Sequence, residues 1–182
     1  MSLPYISRHI TLAKFVVYEL EVHHGMGRGG REENRHVSVR LEFENTEANQ
    51  MGMPLPAGIV RVYQEDSDGM LQFAGEDRIE HTPKNEDVKV KLGEAFDVVA
   101  DVAMMDLQQL AERLYEAAYQ IDLRNHKESD VTVKVVQKMP RDWEVLDSSH
   151  EWKKEDARTL AFEVPVASNG AAKVTFSVRV QN

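Results

Sequence analysis

The C-terminal end of the chain alternates strictly between apolar and polar residues. From residue 173 to residue 180, every second residue is valine or phenylalanine, and lysine, threonine, serine and arginine stand between them. Successive side chains of a β-strand point to opposite faces of the sheet, so this period of two predicts a strand with one buried face and one wet face. The pattern constrains the fold class strongly and says little about chemistry.

The same alternation recurs along the chain. It is clearest at residues 16–22, 37–44, 131–135 and 160–166. Turn-forming residues separate such segments at intervals of roughly ten residues, which is typical of a sandwich or a barrel. No helical crossover units stand between the strands, and this argues against a parallel α/β sheet.

We therefore predict an all-β protein: an immunoglobulin-like antiparallel β-sandwich with additional N-terminal strands and at most one short helix. Residues 1–182 are interpreted as a single β-sandwich chain, with a subdivision into N-terminal strands at 5–103 and an immunoglobulin-like unit at 104–182. The helix is expected within residues 106–118, where leucine and alanine fall at helical spacing. The alternative there is one long strand, whose neighbours override its local propensity.

Composition and charge exclude several classes of function. The chain has no cysteine, which rules out disulfides and thiolate metal sites. Its formal net charge of −9 at pH 7 repels phosphate backbones, so we expect no nucleic-acid partner. No apolar run approaches the roughly 20 residues that span a bilayer, and no signal peptide is visible. The sequence implies no cofactor, and it leaves protein and glycan partners open.

The densest group of titratable side chains is Glu76, Asp77, Arg78 and His81. On a strand, Asp77 and His81 share one face, so they can act as an acid and a base or bind a cation. The structural alternative is an edge strand whose charges deter pairing with other edges, and we favour it.

Two further places carry candidate binding residues. Asn125 and His126 lie between two predicted strands, where an asparagine side chain most simply satisfies the backbone of a turn. Trp152 and Tyr63 can provide a stacking surface for sugar rings if their side chains are exposed.

Three weaker patterns favour structural interpretations. His23, His24 and His36 flank a glycine-rich loop, but adjacent strand residues face opposite ways, which disfavours a shared metal. The carboxylates within residues 66–69 fit a turn better than a calcium loop, because the spacing of an EF-hand is not met. The serines and histidine at 148–150 would not face each other on a strand, and no glycine-rich elbow surrounds them.

Four ordered blocks carry a resemblance to a known family. They lie at residues 53–63, 75–79, 119–127 and 142–145. Read together, they resemble the C-terminal domain of a bacterial family of conserved hypothetical proteins, a domain of unknown function with some members labelled mucoidy-inhibitor-like. The resemblance implies a β-sandwich, a longer full-length protein with an N-terminal region, and a periplasmic or cell-envelope location. It brings no catalytic residues with it.

The function that we expect is a non-catalytic binding or scaffolding module of an envelope-associated bacterial protein. No convergent catalytic set is visible, and sandwiches commonly present loops and edges for recognition. Two alternatives stay open: a hydrolase or metal-dependent enzyme that uses Asp77 and His81, and a carbohydrate-binding module.

Overall fold

The computed structural model describes residues 16–23, 30–66, 68–140 and 142–181. Within these residues the chain is almost entirely β-strand, with one short 3-10 helix at Glu47–Asn49. The strands are β1 Val16–His23, β2 Arg31–Glu44, β3 Gly58–Glu65, β4 Leu71–Ile79, β5 Asp87–Ala111, β6 Leu114–Asn125, β7 Val131–Lys138, β8 Asp142–Ser148, β9 Trp152–Asp156, β10 Thr159–Val166 and β11 Ala171–Gln181.

The strands form a large sheet and a small one. The large sheet has the order β8-β11-β6-β5-β2-β1-β7-β10-β9, and the small sheet is the pair β3-β4. The pairs β5–β6, β6–β11, β11–β8, β7–β10 and β10–β9 are antiparallel, whereas β1 and β7 run parallel.

The large sheet closes over an apolar core. The ring centroid of Phe176 on β11 lies 5.1 Å from the ring centroid of Tyr119 on the neighbouring strand β6. It also lies 5.1 Å from the ring centroid of Phe162 on β10, a strand that is remote from β11 in the strand order. The two halves of the sheet therefore face each other across these rings, and the predicted all-β sandwich is confirmed.

The chain divides into two compact units. Among the described residues, the first unit is built mainly from residues 39–93, and the second from residues 18–38 and 94–181. All three boundaries fall inside strands, since β1, β2 and β5 each contribute residues to both units. The subdivision expected after residue 103 falls within β5, which continues unbroken to Ala111.

The first unit has its own apolar core. Alternation on β2, β3 and β5 turns one side chain in two toward this core, and Ile79 on β4 and the loop residue Leu55 complete it. The buried members are Leu41, Phe43, Leu55, Val62, Ile79, Val88 and Val90.

The helix predicted within residues 106–118 is wrong. Residues up to Ala111 continue β5, Glu112 and Arg113 form a turn, and Leu114 begins β6. The two strands pair across this turn, with Ala111 opposite Leu114. Hydrogen bonding to a paired strand therefore overrides the helical propensity of the segment. Among the described residues, no helix is long and apolar enough to cross a membrane.

Candidate functional site

The β3–β4 pair has one face on the core of the first unit and one face in solvent. Alternation along β3 sends Val60 and Val62 toward the core and the residues between them outward. We call the outward side of the pair the ribbon face. Its residues are Ile59, Arg61, Tyr63, Glu65, Leu71, Phe73, Glu76 and Arg78.

The register of the pair sets which side chains meet across the ribbon face. The opposite residues are Ile59 and Arg78, Arg61 and Glu76, Tyr63 and Phe73, and Glu65 and Leu71. The Arg61 Nε atom donates a hydrogen bond of 2.9 Å to Glu76 Oε2. The rings of Tyr63 and Phe73 meet edge-on, with their centroids 5.7 Å apart. The face therefore combines an ion pair with an aromatic pair.

Apolar side chains are unusually exposed near the turn of the ribbon. The exposed fraction is 48% for Tyr63, 58% for Phe73 and 61% for Leu71. Single exposed apolar residues are common on protein surfaces, but adjacent ones form a patch, and such patches mark interaction sites. This patch is the strongest functional feature of the first unit.

The turn between β3 and β4 is fixed by one carboxylate. Asp66 Oδ1 accepts hydrogen bonds from the backbone N–H groups of Asp68 and Met70, and its Oδ2 accepts one from the Gln72 side chain. The bonds from Met70, Gln72 and Asp68 favour the ionised form and lower the pKa of Asp66. The Asp66 carboxylate therefore stabilises the turn. The turn in turn keeps β3 and β4 in the register that pairs Tyr63 with Phe73.

The predicted acid and base, Asp77 and His81, both contact backbone groups. Asp77 Oδ1 accepts from the N–H of Arg78 and Oδ2 from the N–H of Lys91, each at 2.8 Å. His81 is exposed, and its Nδ1 accepts from the N–H of Ala57 at 3.2 Å. These contacts give both side chains structural roles. Their neighbours Glu76 and Arg78 lie on the ribbon face.

Asn125 is buried in the second unit, at the end of β6. Its Nδ2 donates to the carbonyl oxygens of Ser129 and Ala167, at 2.9 and 3.0 Å, and its Oδ1 accepts from the N–H of Lys127. The side chain therefore completes the hydrogen bonding of two adjoining loops. The next residue, His126, is exposed.

The two tryptophans lie near each other in the second unit. Trp152 is 42% exposed, and the centroid of its ring is 6.2 Å from that of the Trp143 ring, with the two planes tilted by 58°. Trp143 donates from Nε1 to the carbonyl oxygen of Ala157, and the Lys154 ammonium lies 4.8 Å from the centre of its ring. Trp152 also borders an open concavity of about 640 Å³ lined by residues 145–152.

Ser149 and His150 are in contact, although strand alternation predicts that their side chains point to opposite faces. They lie in the bend between β8 and β9 and outside any strand, so the alternation rule does not apply to them. Ser149 Oγ is 2.9 Å from His150 Nδ1 and accepts a hydrogen bond from the N–H of Thr175. In the described chain no carboxylate hydrogen-bonds to this imidazole, so the pair lacks the orienting group of an activated serine.

The histidines near the glycine-rich loop give no metal centre that can be described. His24 and the side chain of His23 lie outside the described residues. His36 is exposed, and its ring centroid is 6.3 Å from that of Phe96. Across residues 16–23, 30–66, 68–140 and 142–181, no group of three or more potential ligands is placed to hold a metal ion.

Comparison with known proteins adds no assignment. No family model matches the chain, and no curated protein matches it.

Proposed function

We propose that this chain is a non-catalytic protein-binding module and that the ribbon face is its contact surface. The observation that carries the proposal is the patch of Tyr63, Phe73 and Leu71, whose side chains are each about half exposed or more. Protein interfaces are enriched in aromatic residues and arginine, and their centres are apolar with a polar rim. The ribbon face has this composition, since Arg61 and Glu76 lie beside the aromatic pair.

A structural role for the titratable groups supports binding over catalysis. The Asp77 carboxylate and the His81 imidazole accept hydrogen bonds from backbone N–H groups of the first unit. A hydrolase built on these two residues would need them free to exchange protons with a substrate. The resemblance to envelope-associated bacterial proteins suggests that the module acts as a scaffold in such a protein.

Affinity capture with matched variants tests this proposal. The full chain would be immobilised and exposed to an extract of its source cells, beside the double variant Tyr63→Ser/Phe73→Ser and the control Leu110→Ser. Leu110 is 49% exposed and lies on β5, so its substitution removes a similar exposed apolar side chain from another surface. We expect the same proteins on wild type and control and an at least tenfold loss on the ribbon variant. Equal capture by all three chains would contradict the proposal.

A second candidate function is carbohydrate binding by the tryptophans. The exposed ring of Trp152, close to Trp143 and beside an open concavity, is the observation that favours it. Sugar rings stack on exposed aromatic faces, because their apolar C–H groups pack against the hydrophobic surface of the ring. A glycan array probed with wild type and with Trp152→Ala tests it. Binding that survives the substitution would remove this candidate.

A further inference from the structure

We infer that the partner of the ribbon face is a second copy of this chain, an inference that rests on the proposed function of that face. The ribbon face is complementary to itself. Among its four cross-strand pairs, one joins opposite charges, one joins two aromatic rings, and two join an apolar with a charged side chain. No pair joins two like charges.

A two-fold axis that runs parallel to the strands, midway between β3 and β4, makes use of this pairing. Such an axis places β3 of one copy over β4 of the other without reversing the direction along the ribbon. Each residue then faces the residue that is its own cross-strand partner within a copy. Tyr63 of one copy therefore meets Phe73 of the other, and Arg61 meets Glu76, each contact occurring twice because the interface is isologous.

The other face-to-face two-fold arrangement is less favourable. An axis perpendicular to the strands would place Glu76 over Phe73 and Ile59 over Glu65 of the second copy, so two carboxylates of each copy would be buried against apolar groups. Under the parallel axis only one carboxylate of each copy, that of Glu65 opposite Leu71, faces an apolar side chain. The parallel axis instead builds a cluster of four aromatic rings next to two intermolecular ion pairs. Aromatic pairs in edge-to-face or offset geometry contribute beyond the area that they bury.

The size of the ribbon face predicts reversible association. From Ile59 to Glu65 the strand extends about 20 Å, at roughly 3.4 Å per residue, and the two strands lie about 5 Å apart. This surface is smaller than the roughly 800 Å² per partner of a standard stable interface. We therefore expect a monomer–dimer equilibrium that becomes visible at high protein concentration.

Charge reversal at one pair gives a sharp test. In sedimentation velocity over a concentration series, wild type should shift from monomer to dimer as concentration rises. Arg61→Glu places two carboxylates at the interface pair, and Glu76→Arg places two guanidinium groups there. Each variant alone should therefore dimerise at least tenfold more weakly than wild type. Lys153→Glu, an exposed charge reversal on β9, is the matched control and should leave the equilibrium unchanged.

Mixing the two variants separates contacts between copies from effects within one copy. Arg61→Glu and Glu76→Arg are complementary to each other under the parallel two-fold axis, so an equimolar mixture should form a heterodimer at concentrations where each alone is monomeric. A mixture that stays monomeric while wild type dimerises would overturn the proposed arrangement.

A wild-type chain that is monomeric at every concentration would overturn the second copy as the partner. If the Tyr63→Ser/Phe73→Ser variant then still loses a captured protein, the ribbon face binds a different protein, and the proposed function survives without this inference. If that variant captures the same proteins as wild type, the proposed function fails as well.

Discussion

Buried side-chain amides hold together the loops of this protein at the scale of single residues. Asn45 is fully buried in the first unit, where its Nδ2 donates to the carbonyl oxygens of Met53 and Pro83 and its Oδ1 accepts from the N–H of Gly52. Asn125 serves two loops of the second unit in the same way. Buried backbone groups in loops need such partners, because no strand pairs with them.

Asn45→Ala should therefore lower the free energy of unfolding by about 2–4 kcal/mol, since the fully buried amide makes three hydrogen bonds and all three are lost to partly buried backbone groups. Asn49→Ala is the matched control. Its Nδ2 makes one exposed hydrogen bond, to the Glu44 carbonyl oxygen, so we expect a loss below about 1 kcal/mol. Urea titration followed by far-UV circular dichroism measures both. Equal losses would contradict the structural role of Asn45.

The buried phenol of Tyr119 should make stability fall at high pH. Burial raises the pKa of Tyr119 to about 12, from an ordinary value of 10.0. Above pH 10 the unfolded chain loses this proton while the folded chain keeps it, so the free energy of unfolding decreases as pH rises toward 12. The contribution is present below pH 10 and amounts to roughly 3 kcal/mol in total.

Urea titrations of wild type and Tyr119→Phe at pH 8 and near pH 11.5 measure this effect. Wild type should lose more stability than the variant across that interval, because phenylalanine has no proton to lose. Parallel losses in the two proteins would show that Tyr119 does not contribute.

At the scale of elements, close approach of backbones shapes the ribbon. Gly75 is buried on β4, and a Cβ atom there would clash with the carbonyl oxygen of Leu92 and lie 2.8 Å from its Cα. Glycine within a strand often marks such an approach. A bulge interrupts the register at this point, between Val62 and Tyr63 on the opposite strand.

Gly75→Ala should lower the free energy of unfolding by about 3 kcal/mol, because the methyl group meets backbone atoms that cannot move independently. Gly58→Ala, at the start of β3, is the matched control, since the nearest atom to its new Cβ would be 3.9 Å away. We expect that control to change stability by no more than about 0.5 kcal/mol. Thermal denaturation of both variants tests this prediction. Similar melting temperatures for Gly75→Ala and Gly58→Ala would contradict the close approach of Gly75 to the backbone of Leu92.

The fold class was predictable, because the alternation of apolar and polar residues reports which face of a strand is buried. The features that were not predicted depend on strand pairing, on burial of one of two similar faces, or on a local bend, and the alternation pattern encodes none of these. Residues 106–118 have helical propensity, yet pairing with a neighbouring strand decides their conformation. Residues 59–63 carry apolar side chains on both faces of their strand, so periodicity alone does not say which face stays exposed. The contact between Ser149 and His150 depends on a bend that alternation does not describe.

At the scale of the whole molecule, each of the two units encloses its own apolar core. The first unit buries residues such as Val62 and Val90, and the second buries residues such as Phe162 and Val178. The hydrophobic contribution to stability scales with the apolar area that each core buries. A substitution in one core should therefore destabilise its own unit before the other.

Both tryptophans belong to the second unit, so tryptophan fluorescence reports the unfolding of that unit while far-UV circular dichroism reports both. We expect Asn45→Ala to move the circular-dichroism transition to lower urea concentration and to leave the fluorescence midpoint nearly unchanged. A core substitution in the second unit, Val133→Ala, should move the fluorescence midpoint, because Val133 is fully buried there. If Asn45→Ala shifted both signals by the same amount, the two units would unfold as one cooperative body, and the strands they share would be the physical link.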